Sequence, residues 1–277
     1  MKATSLDYEL KAIDCIEGMR KLESGSIDLV VTSPPYNLGT EYESYHDNRT
    51  REAYLSWSCD WAREVRRVLK DEGSFFLNLG ACPSNPLIPH ELLVELKSQR
   101  VGFVLQNTFH WIKSITVETP EGKKLSLGHY KPLHSRRFVN DCHEYIFHLT
   151  KDGSTPIDRL SIGVPYADKS NIKRWAHTGG RDLRCRGNNW FIPYQTIVSR
   201  AKQRPHPATF PVELVVNCIR IHGARREMVM LDPFVGIGNS ALAAKKCAIR
   251  KFIGFDIEPG YVRLAKAALR SGSFQAG

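Results

Sequence analysis

The sequence lacks the cysteine spacing of a disulfide framework or a zinc site. Its seven cysteines are scattered through 277 residues, and no two of them form a C-x-x-C pair. Free thiols are typical of a reducing compartment, so we expect a cytoplasmic protein. No apolar run approaches the roughly 20 residues that span a bilayer, and charges interrupt the N-terminal stretch MKATSLDYELKAID. We therefore expect neither a membrane segment nor a signal peptide.

Acidic residues are scarce in one third of the chain. The whole chain has 39 Lys and Arg against 29 Asp and Glu, a net charge of +10. Residues 113–206 contain 17 of the basic and 8 of the acidic residues, a surplus of 9. A localised basic segment is typical of a protein that binds the phosphate backbone of nucleic acid, although a solvated surface explains the charge equally well. The basic residues predicted to contact DNA are Arg136, Arg137, Lys173, Arg174, Arg181, Arg184 and Arg186.

Outside this segment, apolar strands alternate with amphipathic helices. This rhythm predicts an α/β fold with a mostly parallel sheet. The predicted strands are 8–14, 27–32, 74–80, 104–112, 228–231 and 251–255. The predicted helices are 15–22, 50–70 (ended by Gly73), 91–99, 212–222, 240–247 and one that opens at Pro259. The second of them would be capped by Thr50, and its apolar face is predicted to consist of Tyr54, Trp57, Trp61, Val65 and Val68. Within the basic segment only residues 142–149 predict a strand, and the rest is predicted to be irregular.

A Ser-Pro-Pro-Tyr motif, residues 33–36, comes directly after the apolar strand IDLVVT. Two prolines at the carboxyl end of a strand stop the ladder, and they leave carbonyl groups free to accept a hydrogen bond from a ligand. Ser33 adds a hydroxyl and Tyr36 an aromatic face, at the sheet edge where α/β proteins bind ligands. These groups suit a planar ligand that bears an NH2 group. A simple proline-rich turn explains the tetrapeptide alone equally well.

A second motif, DPFVGIGN over residues 232–239, lies between a predicted strand and a predicted helix. Gly236 and Gly238 permit a tight turn, and the helix N-terminus offers free N–H groups to a carboxylate or a phosphate. Asp256 closes the next strand, where an acid usually holds a ribose diol. Strand, turn, helix and acid together predict a site for a nucleoside cofactor.

The two motifs together resemble those of amino-methylating DNA methyltransferases, in the permuted group whose catalytic motif precedes its cofactor motif. The resemblance extends through VLKDEGSFFLNLG, HEYIFHLTK, GNNWFIPY, RPHPATFPVEL and FIGFDIEPGYVRLAKAAL. It implies a Rossmann-like methyltransferase fold that uses S-adenosylmethionine. Residues 1–112 would be its catalytic half and 206–277 its cofactor-binding half. Residues 113–205 would be a basic target-recognition segment that also contributes the core strand 142–149.

The resemblance also implies roles for single residues. The target base would be flipped out of the duplex and stack on Tyr36, while Ser33 and the Pro34 carbonyl accept hydrogen bonds from its amine; Pro35 completes the catalytic motif. The cofactor-binding residues implied are Asp14, Cys15, Pro211, Asp232, Phe234, Gly236, Gly238, Asn239, Ser240 and Asp256. Two departures weaken the match, because Ile13 replaces a usual glycine and Asn239 a usual threonine. Ser240 would take over the hydrogen bond of that threonine.

The resemblance also indicates which atom of the base is methylated. A serine at the head of the motif points to N4 of cytosine in double-stranded DNA, whereas many adenine-modifying relatives have DPPY or NPPY. Methylation at cytosine C5 is disfavoured, because it typically needs a Pro-Cys nucleophile that the sequence lacks. A dinucleotide-dependent oxidoreductase and a non-catalytic DNA-binding protein are weaker alternatives. A cognate restriction endonuclease and a homodimer stay open.

Two further features have a structural interpretation beside the functional one. His143 and Glu144 look like an acid–base pair, but both lie in a predicted strand, which favours a structural role. Asn188, Asn189 and Trp190 fit a contact to phosphate or base as well as they fit a turn before a packed tryptophan.

Overall fold

A computed structural model describes residues 7–39, 47–82, 85–128, 134–193 and 209–271. The predicted boundary between residues 205 and 206 lies outside these ranges. The strands are β1 (Asp7–Ala12), β2 (Ile27–Thr32), β3 (Leu69–Leu79), β4 (Val104–Ile112), β5 (Ile115–Glu118), β6 (Lys124–Leu127), β7 (His143–Thr150), β8 (Asn189–Phe191), β9 (Val229–Asp232) and β10 (Lys251–Asp256). The helices are α1 (Cys15–Arg20), α2 (Arg51–Val68), α3 (Ile88–Lys97), α4 (Ser170–Arg174), α5 (Val212–Gly223), α6 (Asn239–Lys246) and α7 (Pro259–Ser271).

Eight strands form one sheet in the order β1-β10-β9-β2-β3-β7-β4-β8. Strand β7 runs antiparallel to both of its neighbours, β3 and β4, and every other pair is parallel. The predicted mostly parallel sheet is therefore confirmed. Strands β1 to β4 come from the first part of the chain, and β9 and β10, from the last part, lie between β1 and β2. The two motifs consequently meet in the middle of the sheet.

Helices cover both faces of the sheet and make a three-layer molecule. Alternate residues of the buried strands point to opposite faces. On one face, α1, α2 and α3 pack over residues such as Val30, Phe75 and Leu77. On the other face, α5, α6 and α7 pack over residues such as Val31 and Phe76. The loops that follow the strands are thus positioned by a rigid scaffold.

Helix α2 starts where the sequence predicted. The Oγ1 of Thr50 accepts a hydrogen bond from the Ala53 N–H at 3.3 Å and caps the first turn. The predicted apolar face is buried through Tyr54, Trp61 and Val65. The predicted end at Gly73 was wrong, because the chain leaves the helix after Val68 and enters β3 at once.

Gly73 lies inside β3, at an irregularity in the register. Ile27 pairs with Leu69, but Leu29 pairs with Ser74, so β3 accommodates extra residues between these two pairs. A Cβ atom on Gly73 would lie 2.7 Å from the Leu69 side chain and 2.9 Å from the Lys70 carbonyl oxygen. The glycine therefore permits a bulge in the strand instead of ending the helix.

The basic segment contains more strand than the sequence predicted. The predicted strand 142–149 is β7, one residue later at each end. Strands β5 and β6 form an exposed hairpin, and β8 adds an edge strand parallel to β4. None of these three strands contains a long apolar run, so the periodicity of the sequence did not predict them. Within the described ranges, no helix is long and apolar enough to cross a membrane.

Candidate active site

The carboxyl ends of the parallel strands bring the predicted site residues to one edge of the sheet. Strands β1, β10, β9, β2 and β3 are neighbours in that order, so the segments that follow them are neighbours too. Strand β7 runs the other way and begins at this edge with His143 and Glu144. A crevice outside the carboxyl ends of strands is where open α/β sheets bind ligands.

Ser33 and Tyr36 are joined by a hydrogen bond across the turn that follows β2. The Ser33 Oγ and the Tyr36 Oη are 2.6 Å apart. The Tyr36 hydroxyl donates to Oε2 of Glu144 at 3.0 Å, and the Asn78 amide donates to the Tyr36 Oη at 2.6 Å. Burial, followed by the Glu144 charge, raises the pKa of Tyr36 well above its usual value, so this phenol stays protonated.

The two proline carbonyls of the motif differ in their surroundings. The Pro35 carbonyl accepts a hydrogen bond from the Tyr54 hydroxyl at 3.0 Å, so the prediction that it is free for a ligand was wrong. A tyrosine on α2 was not expected to reach the motif. No described residue donates to the Pro34 carbonyl, which keeps the acceptor predicted for the target amine available.

Asp232 anchors the second motif to the first. Its Oδ1 accepts from the Thr32 hydroxyl at 2.5 Å and from the Phe234 N–H at 3.0 Å, and its Oδ2 accepts from the Ser240 hydroxyl at 2.5 Å. Burial raises the pKa of Asp232 to about 6. Because it is buried and three protein groups donate to its oxygens, Asp232 holds the turn in place. The contact with the cofactor predicted for it stays a prediction. Ser240 likewise serves this anchor.

The glycine-rich turn leaves the N-terminus of α6 without a side-chain cap. Gly238 has a φ of 94° at the N-cap position, and a Cβ there would lie 2.7 Å from that of Ala265. The Asn239 amide donates to the Phe210 carbonyl at 2.6 Å, next to Pro211, while its Oδ1 is buried without a partner among the described residues. Uncapped N–H groups fit a carboxylate, and a buried orphan acceptor fits an ammonium group. The methionine end of the predicted cofactor carries both groups.

Asp14 and Asp256 lie side by side at the ends of β1 and β10. The Asp256 carboxylate accepts from the Gly236 N–H and the Glu258 N–H, each at 2.9 Å, and burial raises its pKa. Each oxygen keeps a lone pair for a ribose hydroxyl. Asp14 caps α1 through the Ile16 N–H at 2.8 Å, a role that the sequence did not predict.

The neighbouring side chains supply an apolar wall. Cys15 is buried, and desolvation, then the Asp14 charge, raises the pKa of its thiol. Phe234 packs edge-on against Trp57 and Trp61, with ring centroids 5.7 and 5.5 Å apart. The Arg49 guanidinium lies 5.0 Å from the Trp57 ring centre. Trp57 was predicted only as part of the apolar helix face, and its place at this edge was missed.

Comparison with known proteins decides the family. A model of the DNA methylase family (N6_N4_Mtase) matches residues 27–267. The chain belongs to this family. It is an amino-methylating DNA methyltransferase, and its methyl donor is S-adenosylmethionine. The predicted Rossmann-like methyltransferase fold with permuted motif order is thereby confirmed.

Individual relatives cover nearly the whole methylase. The type II methyltransferase M.HpaI of Haemophilus parainfluenzae is 27% identical over 96% of this chain and 75% of its own length. The cytosine-N4-specific PvuII DNA methyltransferase has the same fold, with a TM-score of 0.68 at 22% identity, covering 96% of this chain and 87% of its own. TTHA0409 of Thermus thermophilus, in its complex with S-adenosyl-L-methionine, gives a TM-score of 0.62 at 25% identity, covering 96% and 94%.

The basic residues predicted to contact DNA are all exposed in the methylase. They do not form one motif. Arg174 lies on the short helix α4 with its guanidinium 5.6 Å from the Trp175 ring, and Arg137 similarly covers Phe138 at 4.9 Å. The Arg186 Nε donates to the Ile162 carbonyl at 2.9 Å, so part of this side chain is used in its own loop.

Three polar side chains lie beside the catalytic motif, and of these only Glu144 was considered from the sequence. Asn78, Lys113 and Glu144 come from the ends of β3, β4 and β7. The Lys113 ammonium lies 3.1 Å from Oε1 of Glu144. The structural role predicted for Glu144 leaves out its direct bond to Tyr36. The signal that could have revealed all three is that each is a polar residue at a strand terminus on the same edge.

Proposed function

We propose that this methylase transfers the methyl group to the exocyclic N4 amine of cytosine in double-stranded DNA. The observation that carries the proposal is Ser33 at the head of the catalytic motif, with its hydroxyl 2.6 Å from the Tyr36 hydroxyl. If Ser33 donates its proton to Tyr36, the lone pairs of its Oγ face the site. A serine hydroxyl at this position distinguishes the motif from the aspartate and asparagine versions in adenine-modifying relatives.

The motif would orient the amine for attack. Ser33 and the Pro34 carbonyl accept one hydrogen bond each from the NH2 group, which directs the nitrogen lone pair out of the base plane. Tyr36 presents a ring whose outer end is held in place by the bonds to its hydroxyl. S-adenosylmethionine supplies a methyl group on a sulfonium centre. The amine becomes acidic only once it is alkylated, so orientation and charge stabilisation contribute more than early proton abstraction.

The cofactor would lie along the edge from β1 to α6. Asp14 and the Cys15 amide contact the adenine, Asp256 the ribose, and the turn from Gly236 to Ser240 the methionine end together with the Pro211 segment. The Phe234 ring closes the adenine pocket against Trp57. The uncapped N-terminus of α6 and the unpartnered Oδ1 of Asn239 support this placement at the methionine end.

Residues 113–205 would read the DNA, with strand β7 contributed to the core. The exposed arginines and lysines there neutralise phosphates, while base readout needs side chains placed in a groove. Since M.HpaI is named a type II methyltransferase, we extend the proposal to protection of DNA against a cognate endonuclease. DNA modified by the methylase would then resist cleavage by that endonuclease.

Nucleoside analysis tests the target atom. DNA from a host that expresses the methylase is digested to nucleosides and separated by mass spectrometry, with DNA from a Ser33→Ala strain as the control. We expect N4-methylcytosine in the first sample alone. N6-methyladenine as the sole product would overturn the target but not the family. A product of 5-methylcytosine would overturn the mechanism.

A further inference from the structure

A chain of three oxygens leads from the catalytic motif into the protein. It runs from the Ser33 Oγ to the Tyr36 Oη over 2.6 Å, and from there to Oε2 of Glu144 over 3.0 Å. Tyr36 lies in the loop after β2 and Glu144 at the start of β7, 108 residues apart. Asn78 stabilises the hydrogen bond between Tyr36 and Glu144. Its amide donates to the Tyr36 Oη and to Oε2 of Glu144, each at 2.6 Å.

Counting donors fixes the direction of this chain. The Tyr36 hydroxyl has one proton, and it is donated to the carboxylate, which can only accept. The Tyr36 Oη must therefore accept from both Asn78 and Ser33. Ser33 consequently has no proton left for another partner, and its remaining lone pairs are acceptors only. A hydrogen bond from the target amine would extend the chain by one link in the same direction.

The far end of the chain is a carboxylate held in a tight, nearly dry place. The Glu144 side chain is 13% exposed, and the Lys113 ammonium compensates its charge at 3.1 Å. A Cβ on Gly80 would lie 2.9 Å from the Tyr36 ring and 3.2 Å from Glu144, so only glycine permits this packing. Among the described residues, the titratable groups that face Glu144 are Lys113 at the end of β4, Tyr36 from the loop after β2, and His143 beside it in β7.

Removing a carboxylate from water costs several kcal/mol even when a cation repays part of it. A purely structural ion pair with Lys113 would not need its second oxygen directed at the hydroxyl of the catalytic motif. The Oε2 atom accepts from Tyr36 and Asn78 and lies two hydrogen bonds from Ser33. The arrangement thus favours a function for the negative charge.

We propose that Ser33, Tyr36 and Glu144 form a proton relay that takes one proton from the amine as the methyl group is transferred. The amine nitrogen bonds to the methyl carbon while the carbon–sulfur bond breaks and leaves its electron pair on sulfur. As positive charge develops on the nitrogen, one N–H proton passes to the Ser33 Oγ, the Ser33 proton to Tyr36 and the Tyr36 proton to Oε2 of Glu144. The two hydroxyls end neutral, the sulfonium charge is gone, and Glu144 ends as a carboxylic acid.

Glu144 acts through Tyr36 and is therefore a positioning residue that stores the proton. The inference rests on the proposed role of Ser33 but not on the identity of the target base. The relay works equally for cytosine N4 and adenine N6, because both nitrogens must lose one proton.

The test is single-turnover methylation of genomic DNA from a host without the enzyme, measured across pH with a labelled methyl donor. In the wild type the rate should fall at acid pH, because the relay needs an unprotonated acceptor at its far end. Glu144→Gln keeps the shape but not the charge, and we expect about a 100-fold slower step, the lower end of what general acid–base catalysis contributes, with the acid limb gone. Glu144→Asp should restore part of the rate and the limb. Glu227→Gln, at an exposed turn before β9, is the matched control.

A second readout does not depend on turnover. The Tyr36 signal in a spectrum of tyrosine labelled at Cζ is identified by its loss in Tyr36→Phe. In Glu144→Gln the titration of that signal should move to lower pH, because the charge that opposes the phenolate is removed. Calorimetry should show unchanged binding of S-adenosylmethionine. If Glu144→Gln does not fold, Tyr36→Phe keeps the ring and must show the same loss of the acid limb.

The outcomes separate the relay from the proposed function. A Glu144→Gln enzyme with the wild-type rate and pH profile overturns the relay, and so does a slower enzyme that keeps the acid limb, since Glu144 would then be only structural. An adenine product in the nucleoside analysis overturns the proposed target while leaving the relay unaffected.

Discussion

Two histidines in the core share one serine, and we expect this arrangement to make the stability of the methylase depend on pH. The Ser74 Oγ lies 2.9 Å from Nε2 of His148 and 2.8 Å from Nδ1 of His222, and all three side chains are buried. The Asn107 amide donates to Nδ1 of His148 at 3.0 Å, so the proton of His148 is on Nε2 and points at Ser74. Ser74 then donates to His222. Both rings are neutral, and a second proton on either would face a donor.

The pKa values of the two histidines are lowered, in agreement with this arrangement. Desolvation lowers the pKa of His148 to about 3 and that of His222 to about 4, from a usual 6.5. Below pH 6.5 the two histidines are protonated in the unfolded chain but not in the folded chain. Their contribution to the free energy of unfolding is therefore fully present above pH 6.5 and decreases as pH falls. Each histidine contributes a slope of up to about 1.4 kcal/mol per pH unit. From about pH 7.5 to about pH 5 the pair should remove about 4 kcal/mol, a large part of the roughly 5–15 kcal/mol typical of a domain.

Buried Asp232 works in the opposite sense. Its raised pKa of about 6 means that the folded chain binds the extra proton, so its contribution is largest at low pH and is lost as pH rises through 6. The net curve is therefore shallower than the histidines alone would give. Comparing variants isolates the histidine contribution.

Urea unfolding followed by tryptophan fluorescence, at several pH values between about 7.5 and 5, gives the free energy of unfolding. His222→Asn places an amide oxygen near the Nδ1 position, where it still accepts from Ser74. His148→Gln keeps a donor near the Nε2 position. Each variant should lower the slope of the free energy of unfolding against pH by the equivalent of about one bound proton. The control His134→Asn, at an exposed position, should not change this slope. If His222→Asn and His148→Gln both keep the wild-type slope, the two rings are not held neutral by burial and the prediction is wrong.

Three further predictions concern the site. Ser33→Ala should lower methyl transfer by about 2–4 kcal/mol at the transition state while S-adenosylmethionine still binds; wild-type turnover would remove Ser33 from the mechanism. Asp256→Ala should weaken S-adenosylmethionine binding in calorimetry, because charge-assisted bonds to the ribose are lost, and unchanged affinity would make the residue only structural. Neutralising four exposed basic residues should flatten the dependence of log affinity for DNA on log salt concentration, and an unchanged slope would place the DNA site elsewhere. The four are Lys173, Arg174, Arg181 and Arg184.

The parts of the fold that the sequence predicted correctly are those where local pattern and burial agree. Strands β2 and β4 have the predicted bounds, and α2 begins at the predicted cap. The bounds shifted where a polar residue could serve either of two elements. Asp14 was assigned to the end of β1, but its side chain accepts from the Ile16 N–H and caps α1. Gly73 was predicted to end the helix, as glycine commonly does, but it lies inside β3.

The catalytic and cofactor motifs were predictable because each is a continuous stretch of chain with its own turn chemistry. The proton relay was not, because it depends on topology. Strand β7 inserts between β3 and β4 in the antiparallel sense, and only that insertion brings Glu144 to the edge where Tyr36 lies. Run parallel, the same strand would place Glu144 at the opposite edge, where no hydroxyl of the motif could reach it. The residues flanking β7 contain no mark of strand direction. A carboxylate that the sequence favours as structural thus reaches the reaction through the reversal of one strand.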